Sequence, residues 1–260
     1  MGSFNFPESG RTRPGMRRAV LDKSFLQGCQ RDDLESIIRE GTRFVVIMET
    51  YVELATTDKL REQLLRKLHG LSEHVDILDH IGTLVKYERE NLRPCWPVAE
   101  HFIRGAFNPN FSLRFADDQA TVIQEQKDYL ENKAPSEYLG IVKEIAMKKR
   151  GLDQKDICRA EVIREVYGRL RKQESRLPPA ELLDERWAIY RKVQVDLLAT
   201  FDYLRSYHGM KFHRSVKDRA HDQIDFRVCI VGALVGGLAA RDNMVSGYFR
   251  TICPTGRLVQ

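Results

Sequence analysis

Three acidic residues in the stretch HDQIDFRVCIVGALVGGLAARD have the types and spacing that a catalytic carboxylate group needs. Asp222 and Asp225 stand at positions i and i+3, so they would share one face of a helix. The pair Gly236-Gly237 predicts the end of that helix and a turn into a buried strand that delivers Asp242. Converging carboxylates repel one another unless protons or a metal ion neutralise them.

Two apolar runs nearer the N-terminus also lead into acids. AVLD is predicted to be a strand that ends at Asp22, and FVVIM is predicted to be a buried strand that runs into a helix carrying Glu49 and Glu53. Open α/β sheets bind ligands at the carboxyl ends of their strands. We therefore expect an α/β fold in which these acids meet at that edge of the sheet.

In order and spacing, these acids resemble those of a PIN-domain nuclease. The matching pieces are VLDKSFL, IMETYVELATTD and HDQIDF with GLAARD, which together span roughly residues 18–58 and 219–260. The resemblance implies a PIN-like parallel-sheet sandwich in which four acids hold one or two Mg²⁺ or Mn²⁺ ions and hydrolyse a phosphodiester, most often in RNA. The matching catalytic positions are Asp22, Glu53, Asp225 and Asp242.

Two of these assignments have a neighbour one helical turn away. The register of the family favours Glu53 over Glu49 and Asp225 over Asp222, and either alternate could serve as an auxiliary ligand, so Asp222 is included in the predicted metal set. The chain departs from the family at Ala240, where a Thr or Ser often stands two residues before the last Asp. A hydroxyl contact at that place is therefore expected to be lost.

Basic residues crowd the approach to the late acids in KFHRSVKDRAHD. Cations beside an acid cluster can hold the phosphates of a nucleic acid, although simple charge balance explains them equally well. We expect RNA rather than DNA as the partner, as the resemblance implies. The predicted substrate-binding residues are Ser24, Lys211, Arg214, Lys217, Arg219 and Arg241.

Composition is compatible with this function. The formal net charge of +5 suits a polyanionic partner without requiring one, and 42% hydrophobic residues suffice for a core. Five cysteines without a CxxC pair argue against a zinc site or a disulfide framework and fit a reducing cytoplasm. The longest apolar run, from Phe226 to Ala240, contains Arg227 and is too short for a membrane span. No secretory signal is recognisable.

The motifs divide the chain into three parts. Residues 1–17 are predicted to be a flexible basic arm, and residues 18–95 with 208–260 are predicted to form the PIN-like nuclease core. Between them, residues 96–207 read as an aromatic-rich loop followed by a large all-helical insertion, which would lie beside the acids as a cap or arm. A homo-oligomer, or an inhibitory or assembly protein partner, is compatible with this arrangement.

Other functions remain open at this level. A non-catalytic PIN-like subunit for RNA binding or assembly would carry vestigial acids, whereas all four predicted positions here hold carboxylates. An HD-type phosphohydrolase is suggested by His221 beside Asp222, with His208 and His213 upstream, but it leaves Asp22 without a role.

Overall fold

The computed structural model describes residues 17–56, 61–78, 80–103, 136–173, 177–206 and 216–260. The predicted basic arm, except for its last residue, lies outside these ranges. So do residues 104–135, which hold much of the predicted aromatic-rich loop and the start of the predicted insertion.

The described strands form one mixed sheet. They are β1 Arg17–Leu21, β2 Thr42–Ile47, β3 Val75–Leu78, β4 Phe102–Ile103, β5 Gly237–Ala239 and β6 Arg257–Val259. The order across the sheet is β4-β3-β2-β1-β5-β6, and only the β3–β4 pair is antiparallel. The predicted α/β class with a mostly parallel sheet is therefore confirmed. The finer PIN-like assignment stays a prediction.

The central strands are apolar because helices cover both of their faces. Ala19, Val20 and Leu21 of β1 are fully buried, as are Phe44 and Val45 of β2. Such continuous burial is typical of parallel strands in α/β folds and explains why these runs do not alternate between apolar and polar residues.

Helices on the two faces of the sheet make separate cores. In chain order they are α1 Lys23–Gly28, α2 Arg31–Arg39, α3 Met48–Thr56, α4 Arg61–Leu68, α5 Ile81–Asn91, α6 Ser136–Lys148, α7 Gln154–Ile157, α8 Ala160–Gln173, α9 Ala188–Ser206, α10 Val216–Val235 and α11 Asn243–Ile252. One core joins α1–α4 to the face that carries Leu21 and Phe44. The other joins α5–α11 to the face that carries Val20 and Val45.

The described helices of the predicted insertion belong to this second core. Val142 of α6, Val166 of α8 and Phe201 of α9 are fully buried in the same apolar cluster as Val20 of the sheet. Of these helices, α9 packs against α5, α10 and α11, so the described part of the insertion packs onto the helices on this face of the sheet.

The glycine pair after α10 makes the pairing of β1 and β5 possible. Gly236 has φ +78, the left-handed conformation that commonly ends a helix. A Cβ on Gly237 would lie 2.1 Å from the carbonyl oxygen of Arg18, so only glycine lets β5 approach β1 this closely. The predicted helix end is confirmed, and the second glycine has a distinct role in strand pairing.

A crevice opens where β1 and β5 end. The chain builds the sheet outward from β1 through β2 and β3, and later adds β5 and β6 on the other side of β1. The helix after β1 packs on one face through Phe25, whereas the helix after β5 packs on the opposite face through Phe249. This reversal is a topological switch point, the place where open α/β sheets bind ligands.

Within the described ranges, no helix is both long enough and apolar enough to cross a membrane. All five cysteines lie in those ranges, and each is buried with a free thiol.

Candidate active site

Asp22 stands at the crevice because β1 ends there. Its side chain is only 4% exposed and caps α1, with Oδ2 accepting a hydrogen bond of 3.0 Å from the backbone N of Ser24 and a second, short one from the Ser24 hydroxyl. Burial raises the pKa of Asp22, the hydrogen bonds from Ser24 lower it in part, and the charge of Glu53 raises it further. The net pKa is above the usual value for Asp.

Ser24 ties the ends of the two neighbouring strands together. Besides donating to Asp22, its Oγ accepts hydrogen bonds of 3.0 Å from the backbone N of Arg241 and from that of Asp242. Ala240 has no hydroxyl, and the hydroxyl that bonds the backbone after it is that of Ser24 on α1. Ser24 is a predicted substrate-binding residue, but its hydroxyl already makes three hydrogen bonds within the protein.

Asp242 holds the start of α11. Its Oδ1 accepts a hydrogen bond of 2.9 Å from the backbone N of Val245, an N-cap that stabilises the helix and fixes the carboxylate at the end of β5. The residue is exposed on the solvent side of the crevice.

The two glutamates of α3 have different partners. Glu53 Oε1 lies 2.8 Å from Lys23 Nζ, next to Asp22. Glu49 is buried, and its Oε1 lies 3.0 Å from Arg227 Nη1 and 3.3 Å from His80 Nε2. Of these two glutamates, Glu53 is the one whose charge raises the pKa of Asp22, whereas Glu49 pairs with Arg227 and His80.

Asp225 of α10 is the point on which the other acids converge. Burial is the largest cause that raises the pKa of Asp225, followed by the charges of Asp22, Asp242, Glu53 and Asp222, and together they bring it to about 8. Among the described residues, none donates a hydrogen bond to this carboxyl and no cation pairs with it. Asp225 therefore keeps its proton at neutral pH when nothing else compensates the cluster.

Asp222 lies one turn before Asp225 and is 6% exposed. Its Oδ2 accepts a short hydrogen bond from the hydroxyl of Tyr203 on α9. A helix of the predicted insertion thus holds one of the predicted metal ligands.

The structure brings all five predicted acids into one electrostatic neighbourhood, with three acids from two helices added to those that follow β1 and β5. In four of them, one carboxylate oxygen already accepts a hydrogen bond from the protein. These contacts are Ser24 to Asp22, Lys23 to Glu53, Tyr203 to Asp222 and Val245 to Asp242. In the part of the chain that the structure describes, no three His, Cys, Asp or Glu side chains form a group arranged to hold a metal ion.

The predicted substrate-binding cations are only partly visible. Lys211 and Arg214 lie outside the described residues, as do the side chains of Lys217 and Arg219. Arg241 is exposed, and its guanidinium carbon lies 5.9 Å from the centre of the Phe25 ring. The histidines of the HD-type alternative also fall outside, since His208 and His213 are not described and the side chain of His221 is not either.

Sequence reasoning missed Lys23 and Tyr203 as neighbours of the acids. Lys23 directly follows Asp22, and a cation beside a strand-terminal acid was the available signal. Tyr203 gave none, because nothing in its helix distinguishes a tyrosine that reaches another helix from one that packs in the core.

No protein-family model, curated protein or solved structure matches this chain. The resemblance to PIN-domain nucleases therefore stays a prediction that rests on the acidic motifs.

Proposed function

We propose that the protein is a metal-dependent endonuclease that hydrolyses phosphodiester bonds, with single-stranded RNA as its substrate. One observation carries the proposal. Acids that follow two adjacent parallel strands meet acids of two helices in the switch-point crevice, around an Asp225 carboxyl that no described residue compensates. A crevice of this kind is suited to a cation, and a cation in turn attracts a phosphate.

The donor set fits Mg²⁺ or Mn²⁺. All five side chains offer carboxylate oxygen, which hard divalent cations prefer, and such ions keep several waters and so need only a few protein ligands. Asp22, Glu53, Asp225 and Asp242 would be the ligands, with Asp222 as an auxiliary held by Tyr203. Because no described group is already arranged around an ion, binding requires these side chains to reorient.

The bound ion would supply positive charge to the phosphoryl oxygens and make the attacking water more acidic. The protein residues orient the site. Ser24 fixes Asp22 relative to Asp242, and Lys23 adds a positive charge beside Glu53 that would offset part of the negative charge of the phosphodiester.

The products follow from an in-line attack by water on phosphorus. A new bond forms between phosphorus and the water oxygen, the bond to the 3′ oxygen breaks, and that oxygen leaves with a proton. The fragments therefore carry 5′-phosphate and 3′-hydroxyl ends. A nuclease that used the 2′-hydroxyl as its nucleophile would instead leave a cyclic phosphate.

The test is cleavage of single-stranded RNA and DNA with Mg²⁺ or Mn²⁺, followed by end-group identification. We expect 5′-phosphate ends, loss of cleavage in EDTA, and a fall of roughly 100-fold or more in Asp22→Asn. Asp32→Asn, which changes an exposed acid on α2, is the matched control and should retain activity. Cyclic phosphate ends, or cleavage that survives both EDTA and Asp22→Asn, would contradict the proposal.

Thermal unfolding gives a second readout of the same site. Mn²⁺ should raise the Tm of the wild type by mass action and raise it less in Asp22→Asn and Asp242→Asn. An equal rise in all three proteins would remove the metal site from the proposal.

A non-catalytic RNA-binding or assembly subunit is the second candidate. It is favoured by one observation, namely that four of the five carboxylates already have an oxygen engaged by the protein. RNA binding without cleavage, together with no Tm response to Mn²⁺, would select this candidate.

A further inference from the structure

An open groove of about 400 Å³ lies beside the acidic site, since it is lined by Phe25, which follows Ser24, and by Arg241, which precedes Asp242. Its walls come from α1 and α2 and from the strand β6 with the residue that follows it. Ile37 and Leu258 supply apolar surface, and Arg241 and Arg257 are the arginines that line it. Small-molecule sites in proteins commonly have volumes from about 300 to 1,000 Å³, so one nucleotide unit fits within this range.

The two arginines differ in what they already bind. Arg257 is engaged, because its Nη2 lies 2.8 Å from Glu40 Oε2 and its Nη1 lies 2.7 Å from Thr42 Oγ1. Arg241 forms no ion pair with any acid in the described ranges. Asp33 and Glu40 also line the groove, and Glu40 is the acid that pairs with Arg257. The Arg241 guanidinium, which contacts neither acid, is suited to an anionic ligand.

Packing directs the Arg241 side chain along α1. Its guanidinium lies over the Phe25 ring, and the chain passes so close to Gly28 that a Cβ there would lie 2.6 Å from Arg241 Cδ and from Nη1. The absence of a side chain at Gly28 therefore makes room for this conformation.

The backbone of Arg241 is fixed to the acidic site. Its N–H donates to Ser24 Oγ at 3.0 Å, and the same hydroxyl donates to Asp22. The guanidinium extends from that anchor into the groove. Because Arg241 directly precedes Asp242, its guanidinium is the candidate to bind the phosphate next to one held at the acids, and arginine can bind a phosphate through two parallel N–H donors.

We propose that this groove is a binding subsite for the nucleotide next to the phosphodiester at the acids, with Arg241 on the phosphate of that nucleotide. The subsite rests on the proposed nuclease function. Ile37 and Leu258 contact the sugar and base, and the polar rim leaves the groove open to the continuing strand.

The experiment measures binding of adenosine 5′-monophosphate, adenosine and inorganic phosphate by calorimetry or NMR in EDTA. Under these conditions the result does not depend on a metal ion or on cleavage. Three variants are compared with the wild type. Arg241→Ala removes the guanidinium, Gly28→Ala displaces it while keeping every charge, and Arg39→Ala removes an exposed arginine of α2 that does not line the groove.

We expect Arg241→Ala to weaken binding of adenosine 5′-monophosphate about tenfold, as the loss of one charge-assisted contact predicts. Gly28→Ala should weaken it in the same direction, and Arg39→Ala should leave it unchanged. Adenosine, which lacks the phosphate, should bind the wild type more weakly than the nucleotide does. An unchanged Tm for each variant shows that the comparison is made on folded protein.

Three results would overturn the subsite. They are no binding of the nucleotide by the wild type, equal binding in Arg241→Ala, and binding of inorganic phosphate as tight as that of the nucleotide, which would mean an anion site only. If the proposed nuclease function is wrong but the subsite is right, metal-dependent cleavage will be absent and nucleotide binding will be retained.

Discussion

The buried carboxylate of Glu88 accepts three backbone hydrogen bonds, whereas the carboxyl of Asp225 faces four other acids. Glu88 of α5 receives N–H groups from Cys95 at 3.1 Å, Ala188 at 2.6 Å and Ile189 at 3.0 Å. Two of these donors belong to the first turn of α9, where the helix dipole also favours a negative charge. Asp225 has no such donor among the described residues.

The difference separates an acid whose burial the protein compensates from one whose burial it does not compensate. Burial raises the pKa of Glu88, and the three N–H groups lower it in part, so the protein itself supplies the compensation. Around Asp225 the protein adds acids instead, and this lowers stability. Strongly perturbed groups without internal compensation concentrate at functional sites, which is the physical reason to place the chemistry at Asp225.

Glu49 is an intermediate case between these two. It is almost as buried as Glu88, but its compensation comes from the side chains of Arg227 and His80 rather than from a helix N-terminus. His80 Nδ1 accepts a hydrogen bond from the backbone N of Gly82, so the proton of the neutral ring lies on Nε2, toward Glu49. The ion pair with Glu49 thus explains why Arg227, a charged residue, stands in the apolar run of α10.

The largest expected effect is on the free energy of unfolding, which substitutions at Glu88 and at Asp225 should change in different ways. Glu88→Ala should lower the free energy of unfolding by about 3 kcal/mol or more, because three buried N–H groups lose their acceptor. Asp225→Asn in EDTA should unfold no more easily than the wild type, because it removes a repulsive carboxylate. Urea unfolding at pH 8 measures both. A large destabilisation by Asp225→Asn would mean that the carboxyl has a structural partner after all.

The acid-bearing edge of the sheet is the part that the sequence predicts well. The runs AVL and FVVI each lie within a buried strand, and the chain turns at Gly236 where the pattern places the turn. Local patterns carry this information, because burial on both faces requires apolar runs and a left-handed turn requires glycine. The alternation of such strands with helices then brings their ends to one edge.

The side-chain hydrogen bonds between distant parts of the chain at the site could not be predicted from the sequence. Ser24 meets Arg241 and Asp242 across more than 200 residues of chain, and Tyr203 meets Asp222 from a different helix. A hydroxyl can satisfy its hydrogen bonds with many partners, so its residue type does not specify which one it finds. The three-residue strand β6 also lacks the length for a clear pattern, although it forms an edge of the sheet and a wall of the groove.

The pH dependence of stability gives a smaller effect with a definite sign. The pKa of Asp225 in the folded protein is about 8, above that of an unfolded Asp, so the folded state holds a proton that the unfolded state has lost. Stability then falls as the pH rises from about 4 through 8, the reverse of the usual behaviour of an Asp.

We therefore expect the free energy of unfolding in EDTA to fall more steeply between pH 5 and pH 8, roughly the window set by the two pKa values, in the wild type than in Asp225→Asn. The raised pKa values of Asp22 and Glu88 add slopes of the same sign to both proteins, so the difference between the two isolates Asp225. Parallel pH profiles would show that Asp225 titrates normally.

The smallest expected effect concerns Asp222, which combines features of both regions. It lies beside Asp225 in the acid cluster, yet its carboxylate accepts a hydrogen bond from Tyr203. Tyr203→Phe removes that donor and should lower the free energy of unfolding by about 1 kcal/mol, the usual contribution of one hydrogen bond. If Asp222 is only an auxiliary ligand, Mn²⁺ should raise the Tm of Tyr203→Phe by nearly as much as that of the wild type. In Asp225→Asn, most of this rise in Tm should be lost. A Tyr203→Phe protein that lost the Mn²⁺ response would instead place Asp222 among the primary ligands, with Tyr203 as the residue that positions it.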